Sequence, residues 1–206
     1  MFKERLNKKL AAELEINGIS EPTPLQLKCI PKINGGFDIV ASAPPQSGKT
    51  TTIVLGAIQK LGGGDEGPPR ALILVGTMEK VLEMKGLFHI LAKDSGLRIK
   101  CAYEEGKIDI QSEEIYVGAD IVIGTPQRIL EIYFSKNLNL NKIKFFAIDD
   151  AELMIKHRFQ GPVDRIGLSL PKCQHVVFTN MYDDKIQRLI SKFIVAPQII
   201  EIPAQN

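Results

Sequence analysis

Apolar residues recur at two spacings along this chain, and the change from one to the other divides it. From residue 3 to about residue 16, Leu6, Leu10 and Leu14 fall four apart among charged neighbours, which puts them on one stripe of an amphipathic helix. A second helix is expected from Pro22 to about Ile33, with Thr23 near its start and Gly35 and Gly36 just past its end. Beyond it the apolar residues gather into short runs that read as buried strands, at residues 38–42, 71–76, 97–102, 120–124, 144–148, 175–179 and 198–202. Helical stretches separate most of them, at 51–61, 78–93, 127–134 and 185–193. Strand and helix in alternation build right-handed βαβ units, so the expected fold is α/β, a mainly parallel sheet with helices on both faces. Such sheets bind ligands at the carboxyl ends of their strands. The glycine- and proline-rich stretch 62–69 is expected to be a mobile surface loop.

Composition narrows the class without naming a function. A chain of 206 residues suits a single domain with its own core, and two complete domains would be a squeeze. Hydrophobic residues at 44% and charged ones at 24% exclude disordered and collagen-like chains. The formal charge of +2 is too small for nucleic-acid binding by bulk electrostatics, so any such contact must be local. No apolar run reaches the roughly 18–20 residues of a membrane span, and the opening segment lacks the apolar stretch of a signal peptide. A cytoplasmic, monomeric protein with no membrane association is the expectation. Cys29, Cys101 and Cys173 are far apart, odd in number and form no C-x-x-C pair, which suggests neither a disulfide framework nor a zinc site and reads as three small, reduced core residues. His89, His157 and His175 are scattered over separate elements, and none is assigned a catalytic or metal role.

The chemistry begins after the strand at 38–42. Ala43-Pro44-Pro45-Gln46-Ser47-Gly48-Lys49-Thr50 follows it and leads into a helix, a phosphate-binding loop with Ala43 where the strict pattern opens on glycine. Backbone N–H groups and the helix start hold phosphates, Lys49 reaches the β and γ groups, and Thr50 ligates Mg²⁺. Nucleotide contact is therefore assigned to Gln46, Ser47, Gly48, Lys49, Thr50 and Thr51. A carboxylate at the end of another strand must share the metal, and Asp149, at the end of Phe145-Phe146-Ala147-Ile148, is that candidate.

The order and spacing of these elements resemble the amino-terminal RecA-like domain of DEAD-box RNA helicases over nearly the whole chain. Gly18-Ile19-Ser20-Glu21-Pro22-Thr23-Pro24-Leu25-Gln26 resembles the Q motif, whose glutamine reads the adenine edge. The resemblance implies ATP rather than GTP, held by Thr23, Gln26 and the upstream aromatic Phe2. Asp149-Asp150-Ala151-Glu152 stands where the family has Asp-Glu-Ala-Asp, so Lys49, Asp149 and Asp150 become the catalytic candidates. Thr125-Pro126-Gln127-Arg128 resembles a motif that contacts RNA phosphates, and Gly76-Thr77-Met78-Glu79-Lys80 another. Thr77, Thr125 and Arg128 are the implied RNA contacts.

Several positions depart from the family pattern. Gln46 replaces a loop glycine, Asp150 is a methylene shorter than the water-orienting glutamate, and Glu152 replaces the last aspartate. Thr179-Asn180-Met181 replaces Ser-Ala-Thr, Met78 an arginine, and Tyr103-Glu104-Glu105 falls where a glycine pair is common. The family's second RecA-like domain supplies an arginine finger and half of the RNA groove, and residues 1–206 read as the first domain alone. The resulting expectation is Mg-ATP and ADP binding with weak hydrolysis, no unwinding by the isolated domain, and RNA contact dependent on the second domain. The alternative is a degenerate RecA-like scaffold or regulator that serves a protein partner.

Overall fold

The computed structural model describes residues 3–19 and 21–204. The expected amino-terminal helix is split: a short 3₁₀ turn covers Lys3–Arg5, and α1 runs Lys8–Ile16. Asn7 causes the restart, because its side chain accepts the Leu10 N–H at 2.8 Å and caps a new helix. Next comes α2, Pro24–Asn34. From there strands and helices alternate: β1 Ile39–Ser42, α3 Lys49–Leu61, β2 Ala71–Leu74, α4 Met78–Leu91, β3 Ile99–Ala102, α5 Ile108–Val117 and β4 Ile121–Gly124. The series continues with α6 Pro126–Phe134, β5 Phe145–Ile148, α7 Ala151–Lys156, α8 Gln160–Ser169, β6 Gln174–Thr179, α9 Asp184–Ile190 and β7 Gln198–Glu201.

All seven expected strands form, each within about two residues of its expected bounds, and all pair in parallel in the order β3-β4-β2-β5-β6-β1-β7. Alternate residues of the central strands enter opposite cores. Ile39, Ala41, Phe145, Ala147, Val176 and Phe178 pack against α1 to α4. Val40, Phe146, Ile148 and Val177 pack with the apolar residues of α5 to α9 on the other face. Three helices had no expectation. The α8 segment carries Gly161, Pro162 and Gly167, which read as turn residues; α5 leaves Ile110, Tyr116 and Val117 exposed, which blurs its apolar stripe; α7 has only six residues. No helix among the described residues is long and apolar enough to cross a membrane.

The stretch 62–69 is tethered rather than loose. Asp120, at the start of β4, is buried and accepts bonds from Arg70 Nη2 at 2.6 Å, Arg98 Nε at 2.9 Å and the Asp65 N–H at 2.9 Å. Arg70 Nη2 also reaches the Gly63 carbonyl, and Arg98 Nη2 the carbonyls of Asp65 and Gly67. One carboxylate thus fastens two arginines, and the arginines hold the loop. Burial pushes the Asp120 carboxyl up, but the bonds donated by Arg98, Arg70 and Asp65 outweigh it and hold the group below the usual carboxylate range. The stability it contributes is complete above the unfolded carboxyl range near pH ~4 and is lost as pH falls through its lowered folded value. Asp120→Ala leaves Arg70 buried and unpaired, and is expected to lower unfolding free energy by about 3 kcal/mol at neutral pH. Denaturant titration at pH 7 and pH 3 checks this: a penalty that does not shrink in acid would contradict the assignment.

Candidate nucleotide-binding site

Parallel pairing brings the carboxyl ends of β1, β6, β5 and β2 level, with Ser42 opposite Thr179, Val177 opposite Ile148 and Ile148 opposite Leu74. The loops leaving these ends meet around a cleft of about 430 Å³ lined by the phosphate loop, Lys80, Glu83, Asp150 and Asn180. The loop itself depends on two left-handed residues, Gln46 at φ 62° and Gly48 at φ 88°. Gly48 needs its missing side chain twice over. A Cβ there would stand 3.1 Å from Gln26 Nε2 and 3.2 Å from Thr23 Oγ1, so the start of α2 is packed directly on the loop.

That start is a capping box. The Thr23 hydroxyl accepts the Gln26 N–H at 3.3 Å, and Gln26 Oε1 accepts the Thr23 N–H at 3.0 Å. The amide of Gln26 is therefore oriented before any ligand arrives. It leaves Nε2 facing Gly48. Phe2 lies outside the described residues.

Lys49 is 7% exposed. Its ammonium donates to the Ala43 carbonyl at 3.1 Å and to Asn180 Oδ1, and it lies 3.4 Å from Asp150 Oδ1. Asn180 escaped the sequence reading as a partner of Lys49; its place after β6, beside β1, was the available signal. The Thr50 hydroxyl donates to Asp149 Oδ2 at 2.6 Å, while the other oxygen, Oδ1, is buried without a protein partner, as is Ser47 Oγ. Asp149 is 1% exposed, and burial pushes its carboxyl up to about 6, with Asp150 adding to the rise and Thr50, Lys80 and Lys49 opposing it. A carboxylate with an orphaned oxygen beside a hydroxyl is a fitting donor set for Mg²⁺, a hard cation that takes few protein ligands and completes its shell with phosphates and water. Among the described residues no group of three or more His, Cys, Asp or Glu offers an all-protein metal cage.

Glu152 links the two motifs where substitution had put their bond in question. Its Oε2 accepts the Thr179 hydroxyl at 2.9 Å and the Asn180 N–H at 3.1 Å, so the longer acid and the retained Thr179 make the connection. Met181 takes no side-chain part and is 67% exposed.

Thr77, Thr125 and Arg128 gather at the carboxyl ends of the neighbouring strands β2 and β4. Thr77 caps α4, accepting the Lys80 N–H at 3.4 Å. Thr125 and Arg128 are engaged by the protein itself: the Thr125 hydroxyl donates to Glu104 Oε2 at 2.6 Å. The Arg128 guanidinium, 7% exposed, donates to the carbonyls of Glu104 and Gly106, to Gln111 Oε1 and to Glu131 Oε2. Arg128 thus staples the 104–111 segment to α6, and a phosphate contact requires one of these bonds to be exchanged. His157 and His175 bond Gly76 O and Asp38 Oδ1, outside the cleft.

A strand, a left-handed glycine loop and a helix carrying Lys49-Thr50, with a strand-end carboxylate bonded to that threonine, define a P-loop nucleotide-binding domain of RecA-like α/β architecture. Residues 23–189 match the DEAD/DEAH box helicase family, and the chain belongs to it. It is 29% identical over 191 residues to the ATP-dependent RNA helicase DeaD of Haemophilus influenzae, covering 92% of this chain and 31% of that protein. It is 28% identical over 202 residues to the DEAD-box ATP-dependent RNA helicase CshA of Streptococcus pneumoniae, covering 98% and 38%. The chain thus spans about a third of the length of these curated relatives. Among solved structures, a DEAD box protein from Methanococcus jannaschii superposes with a TM-score of 0.89 at 28% identity, over 95% of this chain and 54% of that one. A hypothetical ATP-dependent RNA helicase from Sulfolobus tokodaii shares the fold at TM-score 0.87 and 23% identity, over 96% and 57%.

Since the folded Asp149 value lies above the roughly 4 of an unfolded aspartate, the folded state binds this proton more tightly between the two. Ionising Asp149 therefore removes stability as pH rises through that window, and the loss persists above it. In magnesium-free buffer, Asp149→Asn keeps an oxygen for Thr50 and is expected to stabilise the unliganded domain by about 1–3 kcal/mol near pH 8, and little at pH 4. Equilibrium denaturation at both pH values checks it, and an equal gain at both would exclude the buried charge as the cause.

Proposed function

We propose that this chain is the ATP-binding, first RecA-like domain of an ATP-dependent RNA helicase. The observation that supports this best is a cleft at the carboxyl edge of the sheet lined by Gly48, Lys49 and Thr50, with Asp149 bonded to Thr50 and Gln26 packed on Gly48. Gln26 reads adenine, with Thr23 holding its amide and Phe2 a further candidate contact. Backbone N–H groups around Gln46, Ser47 and Gly48 and the start of α3, at Lys49 to Thr51, cradle the phosphates. Lys49 exchanges its carbonyl and Asn180 partners for phosphate oxygens. Thr50 and Asp149 hold Mg²⁺, which when bound neutralises charge developing on the phosphates.

Asp150 is the candidate for orienting the attacking water. It holds a left-handed backbone at φ 51° and lies between two ammonium groups, 3.4 Å from Lys49 Nζ and 3.9 Å from Lys80 Nζ. With its side chain a methylene short as well, hydrolysis by this domain is slow, since about 1 Å of misplacement can cost a hundredfold. The relatives' names support RNA as the polymer, through Thr77, Thr125 and Arg128. A second reading, a RecA-like scaffold or regulator, is favoured by one observation: Glu104 already occupies the Thr125 hydroxyl.

Calorimetry with MgATP tests the first reading: binding is expected for the wild type, lost in Lys49→Ala, and weakened in Gln26→Ala more for ATP than for GTP. No binding at millimolar nucleotide would overturn it. At the RNA face, Glu104→Ala is expected to raise affinity for single-stranded RNA at low salt about three- to tenfold, by removing a like charge from the phosphate path. Filter binding with an unstructured oligonucleotide reads this, and unchanged binding supports the scaffold.

A further inference from the structure

Lys80 is a cleft residue that the phosphate loop and strand-end carboxylate do not account for. It sits in the first turn of α4, directly after β2, and β2 lies beside β5, the strand that ends in Asp149. The sheet therefore carries its ammonium to the acidic end of the cleft. Lys80 Nζ is 3.9 Å from Asp150 Oδ2, while Lys49 Nζ is 3.4 Å from Oδ1 of the same carboxylate. Two cations from different elements thus bracket one anionic group. Gln26 and Thr23 pack on Gly48 without lining the cleft, whereas Lys80 and Asp150 line it. With its adenine at Gln26, as proposed above, a nucleotide lays its phosphates along the loop in the cleft that Lys80 also lines.

Resting on the ATP-binding reading above, we infer that Lys80 is a specificity-determining residue that recognises the terminal phosphate and makes the cleft prefer MgATP to MgADP. Its resting partner is Glu83, one turn along α4, at 3.0 Å. Glu83 is half exposed, and an exposed pair at this spacing is weak and readily exchanged. Lys80 itself is 31% exposed, so its four-carbon stem has room to turn from Glu83 into the cleft. Partial burial works against the charged form, but Glu83 and the fields of Asp149 and Asp150 outweigh it and hold the ammonium above its ordinary range. Lys80 is a cation whenever a nucleotide arrives. MgATP carries one more negative charge than MgADP, and that charge sits on the terminal phosphate, the group that a cation lining the cleft beside Asp150 is placed to meet. Lys49 serves the phosphates of either nucleotide; Lys80 acts on the last one.

Titration calorimetry of the folded chain with MgATP and MgADP separates the two readings. Lys80→Met keeps the length and the apolar stem and removes the charge, and it is expected to weaken MgATP about tenfold while MgADP changes less than about twofold. Lys80→Arg is expected to keep the preference, and Glu83→Gln, which releases Lys80 from its resting partner, to increase it. A parallel loss for both nucleotides in Lys80→Met, or no change in either, overturns the inference and leaves ATP binding standing. A wild-type chain that binds neither nucleotide overturns both.

Discussion

Asp149 is a carboxylate in a place nearly without water, and the chemistry of this domain is arranged around that fact. One oxygen takes the hydroxyl of Thr50; the other has no protein partner. A buried charge left half satisfied is costly on its own, which is why burial pushes this carboxyl up to about 6. The cost is tolerated because the sheet that buries Asp149 also delivers its partners. Strand β5 lies between β2 and β6, and β6 lies beside β1, so the loops bearing Lys80, Asn180 and Lys49 converge on the same edge. Stability given up at this site is recovered in two continuous cores, one on each face of the sheet.

A second constraint lies at the opposite ends of the strands. Asp120 binds Arg70 and Arg98, closing the glycine-rich stretch over the starts of β2 and β4. Glycine and proline content suggested a loose loop. Content reports the backbone freedom of the segment and says nothing of a buried carboxylate 50 positions from Arg70 that removes that freedom. The same reasoning applies at Thr125 and Arg128. The sequence offers Thr125 and Arg128 as free donors, but folding brings Glu104 and Gln111 to them, 21 and 17 positions away. A donor's availability depends on which acceptors the fold has already supplied.

The departures from the family pattern have unequal consequences. Glu152 and Thr179 preserve the bond between their motifs, because the longer acid reaches the hydroxyl that remains. Gln46 is less easily absorbed. Its φ of 62° is a conformation glycine adopts freely and other residues adopt at roughly 1–2 kcal/mol, so the loop carries backbone strain at this position. Asp150, also left-handed, belongs to a residue type that tolerates this region better, and its difficulty is one of reach.

The sequence by itself determined the strands, their parallel arrangement and the positions of Lys49, Thr50 and Asp149, because these follow from local periodicity and from a motif whose members are close along the chain. It also placed Thr23 at a helix start, since a capping box is read within four residues. It missed α5, α7 and α8, whose glycines, proline, exposed apolar residues or brevity carry little periodic signal. Only the tertiary structure decided what each site residue touches: Asn180 on Lys49, Glu104 on Thr125, Lys80 beside Asp150. Those contacts join residues 21 to 131 positions apart. They exist because parallel strands end level at one edge, and no pattern along the chain records which loops that edge will bring together.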